Sequence, residues 1–180
     1  MTLDEYLREE RLAKFRHCCG AEFLKKIDRS RLINQAAFDR VAGWDGEFPG
    51  PCAFGPTGTA KTRAAWSALG NLWVNHKKPF GWFPVKKLVN DLDREDLSES
   101  DRGFLRGIKH LEILFVDDLD KINWQFESEK SAIFMFYDWI YRENKPCITT
   151  TNQTRQWWAD KMGEAFARRL FVDAHFAVGF

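Results

Sequence analysis

Apolar residues in this chain fall into two patterns, helical spacing and short unbroken runs. Helical spacing predicts helices over 3–17, 21–27, 32–42, 63–75, 85–92, 127–143, 154–162 and 164–171. Unbroken apolar runs predict strands at 52–54, 80–83, 111–116, 147–150 and 176–178. Strands that are apolar on both faces and alternate with helices are typical of an α/β fold. We therefore predict a parallel sheet with helices on both sides.

A loop rich in glycine and proline, at 43–51, separates the first three predicted helices from the first strand. The length of 180 residues favours a single compact unit. We therefore predict a short helical N-terminal lead-in at 1–45 and one core domain at 46–180. Within the core, the acidic and polar stretch at 91–101 is predicted to be a surface connection.

The loop between the first strand and the next helix carries the strongest chemical signal. Its sequence at 55–62 is Gly-Pro-Thr-Gly-Thr-Ala-Lys-Thr. A strand, a small-residue loop, Lys-Thr and a helix in that order form a P-loop, whose backbone N–H groups cradle phosphate oxygens. Lys61 would reach the β- and γ-phosphates and Thr62 would hold Mg²⁺. The predicted nucleotide-binding residues are Gly55, Pro56, Thr57, Gly58, Thr59, Ala60, Lys61, Thr62 and Arg63.

One position departs from the usual pattern G-x-x-x-x-G-K-[ST]. Ala60 stands where the second glycine would be. Glycine permits backbone dihedral angles that alanine disfavours. We expect the loop to remain usable if Ala60 has a negative φ, with some loss of nucleotide affinity or turnover.

Two carboxylates directly follow the apolar strand at 111–116. An acid at the carboxyl end of a buried parallel strand faces the ligand crevice. We predict that Asp117 holds Mg²⁺, directly or through water, and that Asp118 polarises the attacking water. The simpler alternative is that both carboxylates cap a helix or lie in a polar loop.

Polar residues near the end of the chain complete the candidate site. Asn152 ends the strand at 147–151, where its amide could orient the lytic water; an ordinary turn residue is the alternative. Arg169, ahead of Arg168, could neutralise charge on the phosphoryl group of a neighbouring subunit. A solvated or ion-paired arginine is the alternative there. Of the adjacent Trp157 and Trp158, we expect one in the core and one more exposed.

Composition indicates which partners and which cellular compartment suit this chain. A net charge of +1 gives no global attraction to nucleic acid, so any DNA contact must be local. No apolar run approaches the roughly 18 residues of a membrane span, and the polar N-terminus does not resemble a secretory signal. Two of the four cysteines are adjacent and two lie in predicted strands, which fits a reducing, cytoplasmic environment.

Four segments in this order resemble the AAA+ ATPases of the DnaC/IstB type. They are the P-loop at 55–62, Leu-Phe-Val-Asp-Asp-Leu at 114–119, Ile-Thr-Thr-Thr-Asn at 148–152 and Ala-Arg-Arg-Leu at 167–170. That group contains helicase loaders and the ATPase subunits of some transposons. The resemblance covers the chain from about residue 40 to its end.

The resemblance implies a P-loop NTPase with a five-stranded parallel sheet in the order 5-1-4-3-2, sandwiched by helices. It implies ATP and Mg²⁺ as ligands, and homo-oligomers with nucleotide at the subunit interface. By position, Asp117 and Asp118 take the Walker B roles, Asn152 the sensor-1 role and Arg169 the arginine-finger role. Relatives continue to a helical lid that carries a sensor-2 arginine. Since this sequence stops at Phe180, we expect no C-terminal lid domain.

The resulting hypothesis is an ATPase that acts on DNA, as a loader of a replicative helicase or as an accessory of a mobile element. A replicative helicase or a transposase and single- or double-stranded DNA are the implied partners. One alternative is a nucleotide-gated adaptor that binds ATP with little or no hydrolysis. Another is a P-loop kinase of a small metabolite, which the Asp-Asp pair and the polar strand tip make less favourable.

Overall fold

The computed structural model describes residues 2–93 and 107–180, and the chain forms strands and helices in alternation. The strands are β1 (Gly50–Phe54), β2 (Phe80–Pro84), β3 (Ile113–Asp117), β4 (Cys147–Thr151) and β5 (His175–Gly179). The helices are α1 (Leu3–Cys18), α2 (Ala21–Leu24), α3 (Gln35–Ala42), α4 (Lys61–His76), α5 (Val85–Asp93), α6 (Glu127–Arg142), α7 (Arg155–Met162) and α8 (Glu164–Arg168). Of the connection predicted at 91–101, residues 91–93 belong to α5 and the others lie outside the described residues.

All five strands pair in parallel, in the order β2-β3-β4-β1-β5. This is the order 5-1-4-3-2 that the resemblance implied. Because the strands are parallel, their carboxyl ends lie on one edge of the sheet. That edge brings together the loop after β1, the loop after β3 and the tip of β4.

Strand β3 shows how the sheet is buried on both faces. Ile113 and Phe115 belong to the apolar cluster that includes α1 and α4, whereas Leu114 and Val116 belong to the cluster built with α5 and α6. Successive side chains of a strand point to opposite faces, so an unbroken apolar run is what a doubly covered strand requires. The predicted α/β sandwich is therefore present.

The lead-in helices pack on the same face of the sheet as α4. Phe15 of α1 makes an edge-to-face contact with Trp66 of α4, at 5.8 Å between ring centroids, and Phe23 of α2 stacks on Trp66 at 6.3 Å. Trp66 also contacts Trp82 of β2 and Phe115 of β3. These rings fix the lead-in beside the start of α4, close to the P-loop.

Three predicted helix bounds differ clearly from the structure. The helix predicted at 21–27 ends at Leu24. The helix predicted from residue 32 begins at Gln35, because Asn34 caps it by accepting a hydrogen bond from the Ala37 N–H at 3.0 Å. The helix predicted to reach residue 171 ends at Arg168 and continues as a π turn, Arg169–Asp173. None of the helices in the described part of the chain is long and apolar enough to span a bilayer.

Candidate nucleotide-binding site

The P-loop lies between β1 and α4, and its first glycine is set by a close backbone approach. Gly55 has a φ of +139°, and a Cβ atom there would lie 2.6 Å from the backbone oxygen of Phe180. The Phe180 N–H donates to the Phe54 carbonyl at 2.8 Å, which holds the two segments together. A side chain at position 55 would therefore break this junction, so glycine is required.

Ala60 adopts a left-handed backbone conformation, with φ of 74° and ψ of 20°. The condition under which the loop was expected to remain usable, a negative φ at Ala60, is therefore not met. The loop keeps the conformation that suits glycine, and alanine occupies it at a cost of about 1–2 kcal/mol. No side chain caps the start of α4, so the first-turn N–H groups remain open to an anion.

Lys61 is folded back onto the loop that it follows. Its Nζ donates to the carbonyls of Gly55 at 2.8 Å and Pro56 at 2.7 Å, and the residue is 6% exposed. Burial lowers the pKa of Lys61, and the neighbouring carboxylates, Asp120 foremost, oppose that shift. The ammonium group is thus held at the mouth of the loop, where a phosphate could replace the two carbonyls.

Thr62 and Asp117 meet across the junction of α4 and β3. The Thr62 hydroxyl donates to Asp117 Oδ1 at 2.9 Å, and the Thr150 hydroxyl of β4 donates to the same oxygen at 2.6 Å. Burial raises the pKa of Asp117, while these hydrogen bonds work against the rise. The predicted metal-binding hydroxyl and carboxylate are therefore direct neighbours.

Asp118 lies beside this pair, at a sharp bend in the chain. Its φ is 56°, which turns the exposed side chain away from the buried strand. Its backbone N–H donates to the Thr150 hydroxyl at 2.9 Å, so Thr150 fixes both acids relative to β4. Neither Asp117 nor Asp118 makes a helix-capping hydrogen bond among those that the structure describes.

A cavity of about 430 Å³ opens over the P-loop. It is lined by Phe23, Thr57, Gly58, Thr59, Ala60, Lys61, Thr62, Arg63, Asp118, Lys121 and Asn152. Most of the site residues predicted from the sequence therefore share one space. Asp117 lies just behind its wall, through its bond to Thr62.

Sequence reasoning missed two residues that line this cavity, Phe23 and Lys121. Phe23 comes from the lead-in, and the Arg63 guanidinium donates to the carbonyl of the preceding residue, Glu22. Lys121 comes from the 3₁₀ turn Leu119–Lys121 after β3. No local pattern marks either residue, because tertiary packing alone places them beside the loop.

Asn152 reaches the cavity and is held from behind by Asp120, a third residue that the sequence did not single out. The Asn152 N–H donates to Asp120 Oδ1 at 2.7 Å, and its Nδ2 donates to Asp120 Oδ2 at 3.2 Å. Asn152 is therefore more than an unconstrained turn residue. Its position at the carboxyl end of β4 was the only signal in the sequence.

A scan against family models of protein sequences finds no match, and a search of curated proteins finds none either. Solved structures do match. The DnaC helicase loader superposes with a TM-score of 0.68 at 18% identity, covering 89% of this chain and 99% of the loader. DnaI superposes with a TM-score of 0.63 at 18% identity, covering 89% and 94%.

AMPPCP-bound DnaA from Aquifex aeolicus also matches, with a TM-score of 0.62 at 16% identity. The match covers 87% of this chain and 48% of that DnaA chain, so this chain spans about half the DnaA length. The chain has a DnaC-like AAA+ fold. The α/β fold with a five-stranded parallel sheet that was predicted from the sequence is thereby confirmed.

Within this AAA+ fold, Arg169 lies apart from the residues that line the cavity. Its Nη2 pairs with Asp138 Oδ1 at 2.7 Å, and its guanidinium carbon lies 5.1 Å from the centroid of the Phe134 ring. The side chain is 23% exposed. Arg168 is more exposed and pairs with Asp173. The finger role predicted for Arg169 involves a neighbouring subunit and remains a prediction.

The two adjacent tryptophans of the AAA+ fold divide as expected. Trp158 is fully buried, and its Nε1 donates to the Thr151 hydroxyl at 3.2 Å. Trp157 is half-buried and meets Trp124 edge to face at 4.9 Å between centroids. Core packing therefore accounts for Trp158, and it fixes α7 behind the tip of β4.

Proposed function

We propose that this protein binds ATP with Mg²⁺ on its P-loop. The observation that carries the proposal is the 2.9 Å hydrogen bond from Thr62 to Asp117, two residues 55 positions apart in sequence. It joins a P-loop hydroxyl to the acid at the carboxyl end of β3, beside a cavity floored by open helix amides. That combination suits a triphosphate with its metal ion.

Thr62 and Asp117 would hold the magnesium ion. The described residues contain no group of three or more His, Cys, Asp or Glu side chains that could hold a metal by themselves. Mg²⁺ does not need such a group, because it is commonly bound through one or two carboxylates, water and substrate phosphates. When bound, the ion would neutralise charge on the β- and γ-phosphates.

Three residues of the chain would bind the phosphates, activate the water and neutralise charge. Lys61 would leave the two loop carbonyls for the phosphates. Asp118, exposed in the cavity, would accept a proton from an attacking water. Arg169 of a neighbouring subunit would approach from outside the cavity, so we propose a homo-oligomer with nucleotide at the interface.

We further propose that this ATPase acts in DNA replication, in loading a replicative helicase, with single- or double-stranded DNA among its contacts. The proposal is supported by the fold shared with structures described as a helicase loader and as a replication initiator. If the protein instead belongs to a mobile element, we propose that it acts with a transposase.

A second candidate is an adaptor that binds ATP but hydrolyses little of it. The alanine at position 60 favours it, because it stands where the P-loop pattern has glycine and its backbone is strained. A turnover assay with and without single-stranded DNA separates the two candidates. Light scattering after size exclusion, with and without ATP and Mg²⁺, reports assembly.

The binding proposal is tested by calorimetric titration of ATP in the presence of Mg²⁺. Lys61→Ala is expected to weaken binding about 100-fold or more, because it removes the charge that faces the phosphates. Lys109→Ala, which removes an exposed lysine outside the cavity, is the matched control and should bind ATP like the wild type. Equal affinity in Lys61→Ala and Lys109→Ala would refute the site.

A further inference from the structure

The 3₁₀ turn after β3 carries a carboxylate that none of the predicted roles uses. The Asp120 side chain is only 5% exposed. Besides its two bonds to Asn152, it accepts a hydrogen bond from the Thr151 hydroxyl at 3.3 Å and lies 3.4 Å from the Lys121 ammonium. These contacts tie the loop after β3 to the tip of β4, the two elements that border the cavity.

Asp120 is ionised under ordinary conditions. Burial alone would raise its pKa, but the hydrogen bonds from Asn152 and the charge of Lys121 outweigh burial and hold the pKa below its usual range. An ionised carboxylate has no proton to donate and can only accept hydrogen bonds. The group that faces Asp120 must therefore be a donor.

This requirement fixes which way round the Asn152 amide lies. Its nitrogen has to face Asp120 Oδ2, as the 3.2 Å contact records, and its carbonyl oxygen is turned away from Asp120. Since Asn152 lines the cavity, this oxygen is the amide acceptor left for a ligand or a water there. A carbonyl oxygen repels a phosphate oxygen but accepts a hydrogen bond from water.

We propose that Asp120 is a positioning residue, which orients Asn152 so that its amide oxygen accepts a hydrogen bond from water beside the terminal phosphate. Asn152 then aligns the water and does not donate to the phosphate itself. The inference deepens the proposed function and depends on ATP occupying the cavity. Asp120 itself touches neither the nucleotide nor the water.

The first test is the variant Asp120→Asn, which keeps the shape and removes the charge. Its amide can offer either an oxygen or a nitrogen, so Asn152 is free to rotate by half a turn. We expect kcat for ATP hydrolysis to fall about 10-fold or more, with ATP affinity unchanged or tighter. Affinity weakened by the same factor as kcat would mean a merely structural role and would overturn the proposal.

A double-variant cycle tests whether the two residues act together. Asp120→Asn combined with Asn152→Ala should hydrolyse ATP no more slowly than Asn152→Ala alone. Losses that multiply would overturn the proposal. Asp160→Asn is the matched control, since Asp160 accepts a side-chain hydrogen bond from Gln156 at 2.9 Å on α7 and does not line the cavity.

A measurement without nucleotide separates this inference from the proposed function. The NMR signal of the Asn152 side-chain amide can be identified by its loss in Asn152→Ala. Its hydrogens should exchange with solvent slowly in the wild type and faster in Asp120→Asn. Equal exchange in both proteins would refute the holding contact. Failure of the wild type to bind ATP would instead refute the proposed function, and the water-positioning role with it.

Discussion

The P-loop region and the Arg169 region differ in how much of a reaction site one chain supplies. At the P-loop, residues of α4 and residues that directly follow β3 and β4 line one cavity, and Thr62 donates a hydrogen bond to Asp117. At Arg169, the guanidinium is occupied by Asp138 and Phe134 and does not line that cavity. One chain thus supplies a candidate phosphate-binding loop at one place and a restrained arginine at another.

The difference has a topological cause. Parallel strands deliver their carboxyl ends to one edge, so residues far apart in sequence converge there without a second subunit. Arg169 follows α8 and begins the π turn that leads into β5. A buried polar chain connects α6, β4 and β5: the Tyr137 hydroxyl contacts the Thr149 hydroxyl at 2.8 Å, which contacts His175 Nε2 at 3.1 Å.

The largest expected effect concerns His175, in this connecting chain. Burial lowers the pKa of His175 to about 4, against an ordinary value of 6.5. The unfolded chain therefore gains a proton between pH 6.5 and 4 that the folded chain does not. The free energy of unfolding should be fully retained above pH 6.5 and should fall by about 3 kcal/mol towards pH 4.

Urea unfolding of wild type and His175→Gln at pH 7, 5.5 and 4 measures this contribution. The variant is less stable at pH 7, but it should lose about 3 kcal/mol less between pH 7 and 4. His110→Gln, which changes an exposed histidine, is the control and should keep the wild-type pH dependence. A His175→Gln protein with the wild-type dependence would show that other groups cause the acid loss.

The sequence predicted the P-loop region far better than the Arg169 region. The run at 111–116 had to be a buried strand, because its apolar residues face both sides of the sheet. The P-loop could be recognised because its residues are contiguous in sequence. Thr62 followed from the P-loop motif, and Asp117 and Asn152 followed from the strand ends to which they are attached.

The remaining parts of the site depend on distant contacts or on one dihedral angle. Phe23 enters the cavity only because rings of the lead-in pack on Trp66. Asp120 became visible only once β3 and β4 were neighbours. The left-handed φ of Ala60 could not be predicted, since the closed loop outweighs the local preference of alanine.

The second prediction asks whether the Arg169 region completes the P-loop site of another subunit. Arg169→Ala should leave ATP affinity within about 2-fold and lower hydrolysis about 10-fold or more. Mixing Arg169→Ala with Lys61→Ala should then restore part of the activity, because each variant supplies what the other lacks. A mixture no more active than its parts would argue against a role across subunits.

Two controls accompany the mixing experiment. Arg168→Ala removes the neighbouring exposed arginine and should hydrolyse ATP like the wild type. Asp138→Asn removes the ion-pair partner while keeping the Arg169 guanidinium. If Asp138→Asn lowers hydrolysis as much as Arg169→Ala does, the effect comes from the structure of α6 and not from a transferred charge.

The smallest expected effect lies inside the P-loop. Ala60→Gly relieves about 1–2 kcal/mol of strain in the left-handed backbone of the folded state. It also makes the unfolded chain more flexible, which lowers the free energy of unfolding by about 0.5–1 kcal/mol. The net gain should raise the midpoint of thermal unfolding by about 2–4 °C. Since the ligand-free loop already holds this conformation, ATP affinity should change by less than about 3-fold.

Lys77 at the other end of α4 provides the matched control, because its φ of 62° is also left-handed and it does not line the cavity. Lys77→Gly should raise the unfolding midpoint by a similar amount and leave ATP affinity unchanged. A lower midpoint in Ala60→Gly alone would mean that packing of the Ala60 methyl against the α3 and β5 cluster outweighs its backbone strain. Ala60 would then be a stabilising residue, and the alanine in this P-loop would no longer favour an adaptor over an ATPase.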